Sequence, residues 1–404
     1  MSAPSTPIDE PAVQERSRPP GTPGTGPAGP VVLYIVNAAW FFLSHRLPLA
    51  RAARDAGYTV HLLTAVDSEG EERACTREGI VVHRAPLARA GMNPFADLRF
   101  FLCVRRVIRA VAPTLVHNVT VKPVLYGTLA ARLAGVQGIV NAISGLGYAF
   151  SDKSRWVLAA VLRQAYRFAL HGARVHVIFQ NDDDAREFAA AGLVRASQIT
   201  KIRGSGVDLR HFWPADEDST EPPLVLLPAR MLRDKGITEF VRAAQLLCRD
   251  GCSARFVLAG RLDHNNPAAF TRSELEQLLR DAPVEWLGHV EDMPALLRRA
   301  HIVCLPSYRE GLPKSLIEAC AVGRPIVTTD VPGCRAVVAD GLNGLLVPPR
   351  DAEALAAALR RLIPDKELRA FLGRAARQRA EREFSVDSVV AQTLALYALA
   401  VQPG

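Results

Sequence analysis

The chain has 404 residues, 49% hydrophobic and 22% charged, with a net charge of +8 and a pI of about 9.3. That length exceeds one typical domain and suits two, each able to bury a core, and the composition excludes a disordered body. The basic balance favours anionic partners, but there is no RNP-like aromatic motif, zinc-finger spacing or lysine-rich tail, which argues against nucleic acid.

Residues 1–30 are rich in Pro, Gly, Ser and Thr and predict a flexible tail without the apolar core of a signal peptide. Residues 31–37 read as a buried parallel strand, 44–57 as a helix ending at Gly57, and 59–64 and 80–84 as strands. A long amphipathic helix follows at 94–111, then strand 115–118, helix 122–135 and strand 138–142. Strands at 175–180 and 199–202 flank a helix at 183–191. This alternation is the mark of a doubly wound α/β sheet. It breaks at 211–223, where Pro214, Pro222, Pro223 and several acidic residues suggest an interdomain linker.

The alternation then restarts. Strands are expected at 224–228, 254–259, 284–287, 302–305, 325–328 and 344–347, with helices at 238–250, 273–279, 293–300, 313–322, 352–361 and 366–383. A last helix at 385–400 is expected to return to the first domain. The domains are thus 31–213 and 214–384, with 385–404 as the returning segment. Two such domains face each other across a cleft, and ligands bind beyond the carboxyl ends of their strands. The seven cysteines are scattered and read as reduced thiols of a cytosolic protein. No apolar run reaches the roughly 20 residues of a spanning helix.

The sharpest motif runs from Tyr308 to Glu318 after the strand at 302–305. Gly311 lets the backbone approach a ligand, Pro313 suits a helix start, and the helix amides form an anion site. Glu310 precedes the helix and Glu318 lies inside it, so the two carboxylates can reach different hydroxyls of one elongated ligand. The second motif, Pro228 to Gly236, also follows a strand, and its Arg230 and Lys235 suit a diphosphate. Fixed cations of this kind can stabilise a leaving phosphate.

Together these motifs resemble the large retaining glycosyltransferase family typified by sucrose and mannosyl transferases, the GT4 family with its GT-B fold. The resemblance also rests on Gly204 to Asp208, Leu258-Ala259-Gly260, Gly288-His289-Val290, Gly333 and Asp340 to Pro348. It implies that Glu318 holds the donor ribose and that Glu310 contacts the transferred sugar beside the Gly311 and Leu312 amides. It implies that Arg230 and Lys235 bind the diphosphate, and that the segment from Val290 to Met293 passes the nucleobase. It implies front-face attack from a UDP-sugar donor, with no divalent metal and no cofactor.

Residues 40–50, the stretch from His117 to Gly127 and that from Asn141 to Tyr148 resemble the branch acting on lipid-linked saccharides in O-antigen and capsule assembly. His45, His117, Lys122, Gly145, Gly147 and Asn181 are therefore the acceptor-side candidates. Many members carry a second His two residues after the first, where this chain has Val119. Asp182, Asp183 and Asp184 read as a helix cap that favours the dipole rather than a metal site. Basic amphipathic segments at 153–168 and 99–109 suggest peripheral contact with the anionic cytoplasmic leaflet of the plasma membrane. A transferase with a soluble acceptor, a sugar-nucleotide epimerase and a non-catalytic nucleotide-sugar-binding subunit are the alternatives. A Gly-rich dinucleotide turn is missing after the first strand, which disfavours a dehydrogenase.

Overall fold

The computed structural model describes residues 29–87, 93–143, 156–217, 222–263 and 266–402. The expected tail, apart from its last two residues, lies outside these ranges, as do Gly145 and Gly147.

The first domain has strands β1 (Val31–Val36), β2 (Thr59–Thr64), β3 (Val81–Arg84), β4 (Leu115–Val119), β5 (Gly138–Ile143), β6 (Val175–Phe179) and β7 (Ile199–Lys201). They form one parallel sheet in the order β3-β2-β1-β4-β5-β6-β7. Its helices are α1 (Ala39–His45), α2 (Leu47–Asp55), α3 (Glu69–Arg77), α4 (Pro94–Val111), α5 (Thr128–Ala134), α6 (Trp156–Leu170) and α7 (Asp182–Ala190). The second domain orders its parallel strands β10-β9-β8-β11-β12-β13. These are β8 (Leu224–Pro228), β9 (Arg255–Ala259), β10 (Val284–Trp286), β11 (Ile302–Leu305), β12 (Ile326–Thr329) and β13 (Gly344–Val347). Helices α8 (Ile237–Arg249), α9 (Arg272–Leu279), α10 (Met293–Arg299), α11 (Lys314–Ala321), α12 (Pro332–Arg335), α13 (Ala352–Leu362) and α14 (Lys366–Arg379) cover that sheet.

Central strands such as β4, β5, β8, β11 and β12 are buried on both faces, which is why they read as unbroken apolar runs. Two apolar layers sandwich the first sheet. One joins α4, α5, α6 and α7. The other holds Phe42, Leu49, Ala53 and Cys75 together with Val389, Leu396 and Tyr397 of α15 (Val386–Ala400). The last helix thus packs on the first domain, and its hydrophobic burial fixes the crossing back.

Several elements differ from expectation for local reasons. The helix expected at 44–57 is two helices, and the first begins at Ala39. Pro48 has no N–H with which to bond the Ser44 carbonyl four residues back, so the chain restarts at Leu47 and that carbonyl is released. The helix expected at 122–135 opens with a π-helical turn over Pro123–Gly127, following Thr120 in a left-handed conformation (φ 77°). Helices α3 and α12 lie outside the expected set. The first buries Cys75 alone and shows no apolar stripe, and the second spans four residues. The described residues of the expected linker include bound ones, since Glu217 pairs with Arg369 at 2.8 Å and Ala215 accepts a hydrogen bond from Arg324.

Candidate active site

A cavity of 300 Å³ lies between the domains, at the carboxyl ends of both sheets. Trp40, Phe41, His45, Gln180 and Ser205 line it from the first domain, and Arg230, Lys235 and residues 310–315 from the second.

The second domain supplies paired charges. After β8 the chain makes a short 3₁₀ turn over Arg233–Lys235 and ends it on Gly236 at φ 72°. A Cβ there would sit 2.1 Å from the Pro306 carbonyl oxygen, so only glycine lets this loop meet the one after β11. The two loops are then joined by Tyr308 N–H donating to the Asp234 carbonyl at 2.9 Å. Lys235 Nζ consequently bonds Glu310 Oε1, to which Ser307 Oγ also donates at 2.7 Å. This pair is largely shielded from water, with 18% and 11% of the side chains exposed. Gly333 supports it from behind: a Cβ at that position would fall 2.4 Å from the Glu310 carbonyl oxygen. Gly311, Leu312 and Pro313 continue the cavity wall into the start of α11, and the free amides of a helix start suit an anion. Pro313 stands at the cap of that helix rather than inside its first turn.

Arg230 pairs with Asp263, and its guanidinium lies 5.3 Å from the centre of the Trp40 ring. Arg261 lies 5.4 Å from the same ring. The indole of the first domain therefore sits against two cations of the second. Lys314 also crosses the cleft. Its Nζ donates at 2.9 Å to the Ser44 carbonyl that Pro48 leaves free, and lies 3.4 Å from Glu318 Oε1. Burial raises the Glu318 carboxyl above the usual range, against the pull of Lys314. Glu318 does not line the 300 Å³ cavity, although its partner Lys314 does.

His45 lines the cavity, stacked on Phe41 at 4.1 Å and bonded through Nδ1 to Ser44 Oγ at 2.6 Å. Burial, with Lys314 and Arg46 nearby, lowers its pKa to about 3, so the ring is neutral there.

The other acceptor-side candidates lie elsewhere. His117 is in the core, 1% exposed, stacked on Tyr34 and bonded to the Tyr397 hydroxyl of α15. Its position in mid-strand points it away from the carboxyl edge and towards the returning helix, so it packs and does not line the cavity. Lys122 is held by Asp97 at 2.7 Å and is likewise absent from the cavity wall. Asn181 caps α7 through Oδ1, accepting from Asp184 N–H at 2.7 Å, while its Nδ2 donates across the cleft to the Gly311 carbonyl at 2.7 Å. It thus clamps the two domains instead of facing a ligand. Asp183 adds an ion pair to Arg335 of the second domain at 3.0 Å, and Asp182 pairs with Lys201. Gly260 donates its N–H to the Gly288 carbonyl at 2.7 Å and accepts from Trp286 Nε1, which closes the end of β9. Val290 packs at the edge of the second core.

Two family models cover this architecture. Residues 31–181 match the family described as "Glycosyl transferase 4-like" and residues 210–379 "Glycosyl transferases group 1". The chain belongs to the GT4 glycosyltransferases of GT-B fold. It is 28% identical to an N,N'-diacetylbacillosaminyl-diphospho-undecaprenol alpha-1,3-N-acetylgalactosaminyltransferase of Campylobacter jejuni, over 88% of this chain and 97% of that one. It is 25% identical to a UDP-Gal:alpha-D-GlcNAc-diphosphoundecaprenol alpha-1,3-galactosyltransferase of Escherichia coli, over 67% and 72% of the two chains. Among solved structures, sucrose-phosphate synthase of Thermosynechococcus elongatus superposes with a TM-score of 0.74 at 21% identity, covering 92% of this chain and 98% of that one.

In the glycosyltransferase several site residues carry no motif of their own. Asp263 and Arg261 follow β9, where the rule that ligands gather at carboxyl strand ends points, but only the folded chain shows them at Arg230 and Trp40. Lys314 stands inside the sharpest motif, yet its reach to Ser44 depends on the packing of the two domains.

Proposed function

We propose that this glycosyltransferase moves a sugar from a UDP-sugar to a glycan carried on a polyprenyl diphosphate, with retention of anomeric configuration and in cell-surface polysaccharide synthesis. The observation that carries the reading is the Lys235–Glu310 pair in the cleft, facing the start of α11 and flanked by Arg230. Both named relatives act, by their names, on diphospho-undecaprenol-linked saccharides, and one takes UDP-galactose.

In this reading Arg230 and Lys235 meet the donor diphosphate, Glu310 accepts hydrogen bonds from the transferred sugar, and Glu318 accepts them from the ribose. The bond from the anomeric carbon to the diphosphate oxygen breaks on the face where the acceptor hydroxyl adds. The hydroxyl proton passes to the departing phosphate oxygen. Products are the nucleoside diphosphate and a glycoside of the donor's own configuration. Fixed cations supply the charge stabilisation of the leaving group, without a divalent metal. Their carboxylate partners hold them in place before the donor arrives, which spares reorganisation during the reaction.

The test is nucleotide release from a panel of UDP- and GDP-sugars, with and without polyprenyl-diphosphate-linked acceptors, and NMR of the product anomer. Acceptor-dependent UDP release with a retained anomer is expected. A sugar epimerised without acceptor, donor bound but never released, or an inverted product would overturn the proposal.

A further inference from the structure

Lys314 opens α11 in the second domain, yet its ammonium is shared between the domains. Nζ lies 3.4 Å from Glu318 Oε1, one turn along the same helix, and donates at 2.9 Å to the Ser44 carbonyl of the first domain. In this it differs from Arg230 and Lys235, whose carboxylate partners belong to their own domain. The Ser44 carbonyl is available because Pro48, four residues on, has no N–H to offer it. A cation donating to it makes a stronger bond than a neutral group would.

The turn that Lys314 grips carries His45, whose ring is held in one orientation. It stacks on Phe41 at 4.1 Å. The Ser44 hydroxyl donates to the Phe41 carbonyl at 3.2 Å, so its oxygen accepts from His45 Nδ1–H at 2.6 Å. The neutral ring then carries its lone pair on Nε2, which has no hydrogen-bond partner among the described residues. A lone pair on a cavity wall accepts from a hydroxyl, the commonest polar group of a saccharide. The same turn borders open space twice. His45, Ser205 and Lys314 line both the 300 Å³ cavity and a second one of 430 Å³, which also takes in Ser44 and Pro48.

We propose that Lys314 is a positioning residue for the acceptor. It holds the Ser44–His45 turn from across the cleft, and His45 Nε2 then accepts a hydrogen bond from a hydroxyl of the acceptor saccharide. The inference rests on the transferase reading above for the nature of that saccharide. It makes the acceptor wall of the first domain depend on a residue of the donor domain, so the saccharide is held well only while the two domains are in contact.

The full chain is titrated with a panel of polyprenyl-diphosphate-linked saccharides in the presence of UDP, where no transfer can occur, and initial rates with UDP-sugars are measured beside it. Lys314→Met should weaken saccharide affinity roughly tenfold, the scale of one charge-assisted hydrogen bond, and raise acceptor KM by the same factor. UDP affinity, and kcat at saturating acceptor, should stay within about threefold of the parent. Lys314→Arg should restore most of the affinity, since a guanidinium can donate to the same carbonyl. Both variants should melt like the parent, which separates lost positioning from lost folding. His45→Ala should show a loss of similar size, and the double variant with Lys314→Met should be no worse than the weaker single, because both act on one contact. Unchanged saccharide affinity in Lys314→Met, or additive losses in the double variant, would overturn the proposal. So would weakened UDP binding together with a fallen kcat, which would make Lys314 a donor-phosphate group. A parent that binds a saccharide but transfers no sugar to it would sink the transferase reading instead and leave the binding comparison to decide the role of Lys314.

Discussion

The two walls of the cleft are built on different principles. The second domain presents ionic groups already paired within itself: Lys235 with Glu310, Arg230 with Asp263 and Lys314 with Glu318. The first presents rings and backbone: Trp40 against two arginines, Phe41 beneath a neutral His45, and the Ser44 carbonyl. Fixed charge suits a ligand of constant chemistry, such as a diphosphate. Aromatic faces and free backbone suit partners of varied shape. The family reading follows the same split, with the donor on the second domain and the acceptor on the first.

The sharpest way to break this comparison is Lys235→Ala. If the paired charges act on the leaving group, kcat should fall roughly 10²–10³-fold, the scale seen when one preorganised electrostatic group is removed, with a smaller change in donor KM. The variant also leaves the Glu310 carboxylate shielded with only Ser307 as partner, which should cost a few kcal/mol of stability. Turnover is therefore compared at a temperature where both proteins are folded. A rise in KM with kcat intact would make Lys235 a binding group only.

Glu318→Gln should have a smaller and two-sided effect. The carboxylate accepts hydroxyl hydrogen bonds better than the amide, so donor affinity should weaken about tenfold, measurable by calorimetry with UDP. Its pKa is raised by burial, so the folded state binds its proton more readily than the unfolded chain. Stability is therefore unpenalised below the ordinary carboxyl range and is lost as pH rises through the raised folded pKa. The glutamine chain should accordingly melt higher than the parent at neutral pH, and the gap should close in acid. An equal or lower melting temperature at neutral pH would mean that Lys314 outweighs burial.

Trp40→Ala probes the opposite wall. Losing the ring from between Arg230 and Arg261 should change donor KM severalfold, the scale of a cation–π contact of about 0.5–2 kcal/mol. A double-mutant cycle with Arg261→Ala should show the two effects coupled. Independent effects would separate the aromatic wall from the charged one.

The same division governs how much the sequence discloses. The doubly wound parallel architecture and nearly all strands are legible, because parallel strands buried on both faces leave unbroken apolar runs such as those of β8 and β11. Glu310, Lys235 and Arg230 are legible because each stands where a strand ends and a helix begins. What brings them together is not: Gly236 against Pro306 and Gly333 against Glu310 are contacts between segments far apart in the chain. On the first domain, Pro48 releases the carbonyl that Lys314 takes, a link visible only across the cleft. His117 and Asn181 resemble ligand-facing residues by type and by position after or within strands. Their side chains are claimed by Tyr397 and by Gly311, from partners that local sequence does not name.

The smallest effect expected concerns His117. Tyr397→Phe removes the hydroxyl that bonds His117 Nδ1 and also donates to Tyr34 at 3.0 Å. All three rings are buried, so the loss should lower unfolding stability by about 1–2 kcal/mol, with the partners left short of a hydrogen bond. Because this cluster stands behind the sheet and off the cavity wall, kcat and acceptor KM should stay at parental values. The pairing matters here: a residue that oriented His117 towards an acceptor would alter acceptor KM and its pH profile at unchanged stability. A shift in either, with melting unaffected, would return His117 to the acceptor side and show that the first domain's wall extends deeper than its rings.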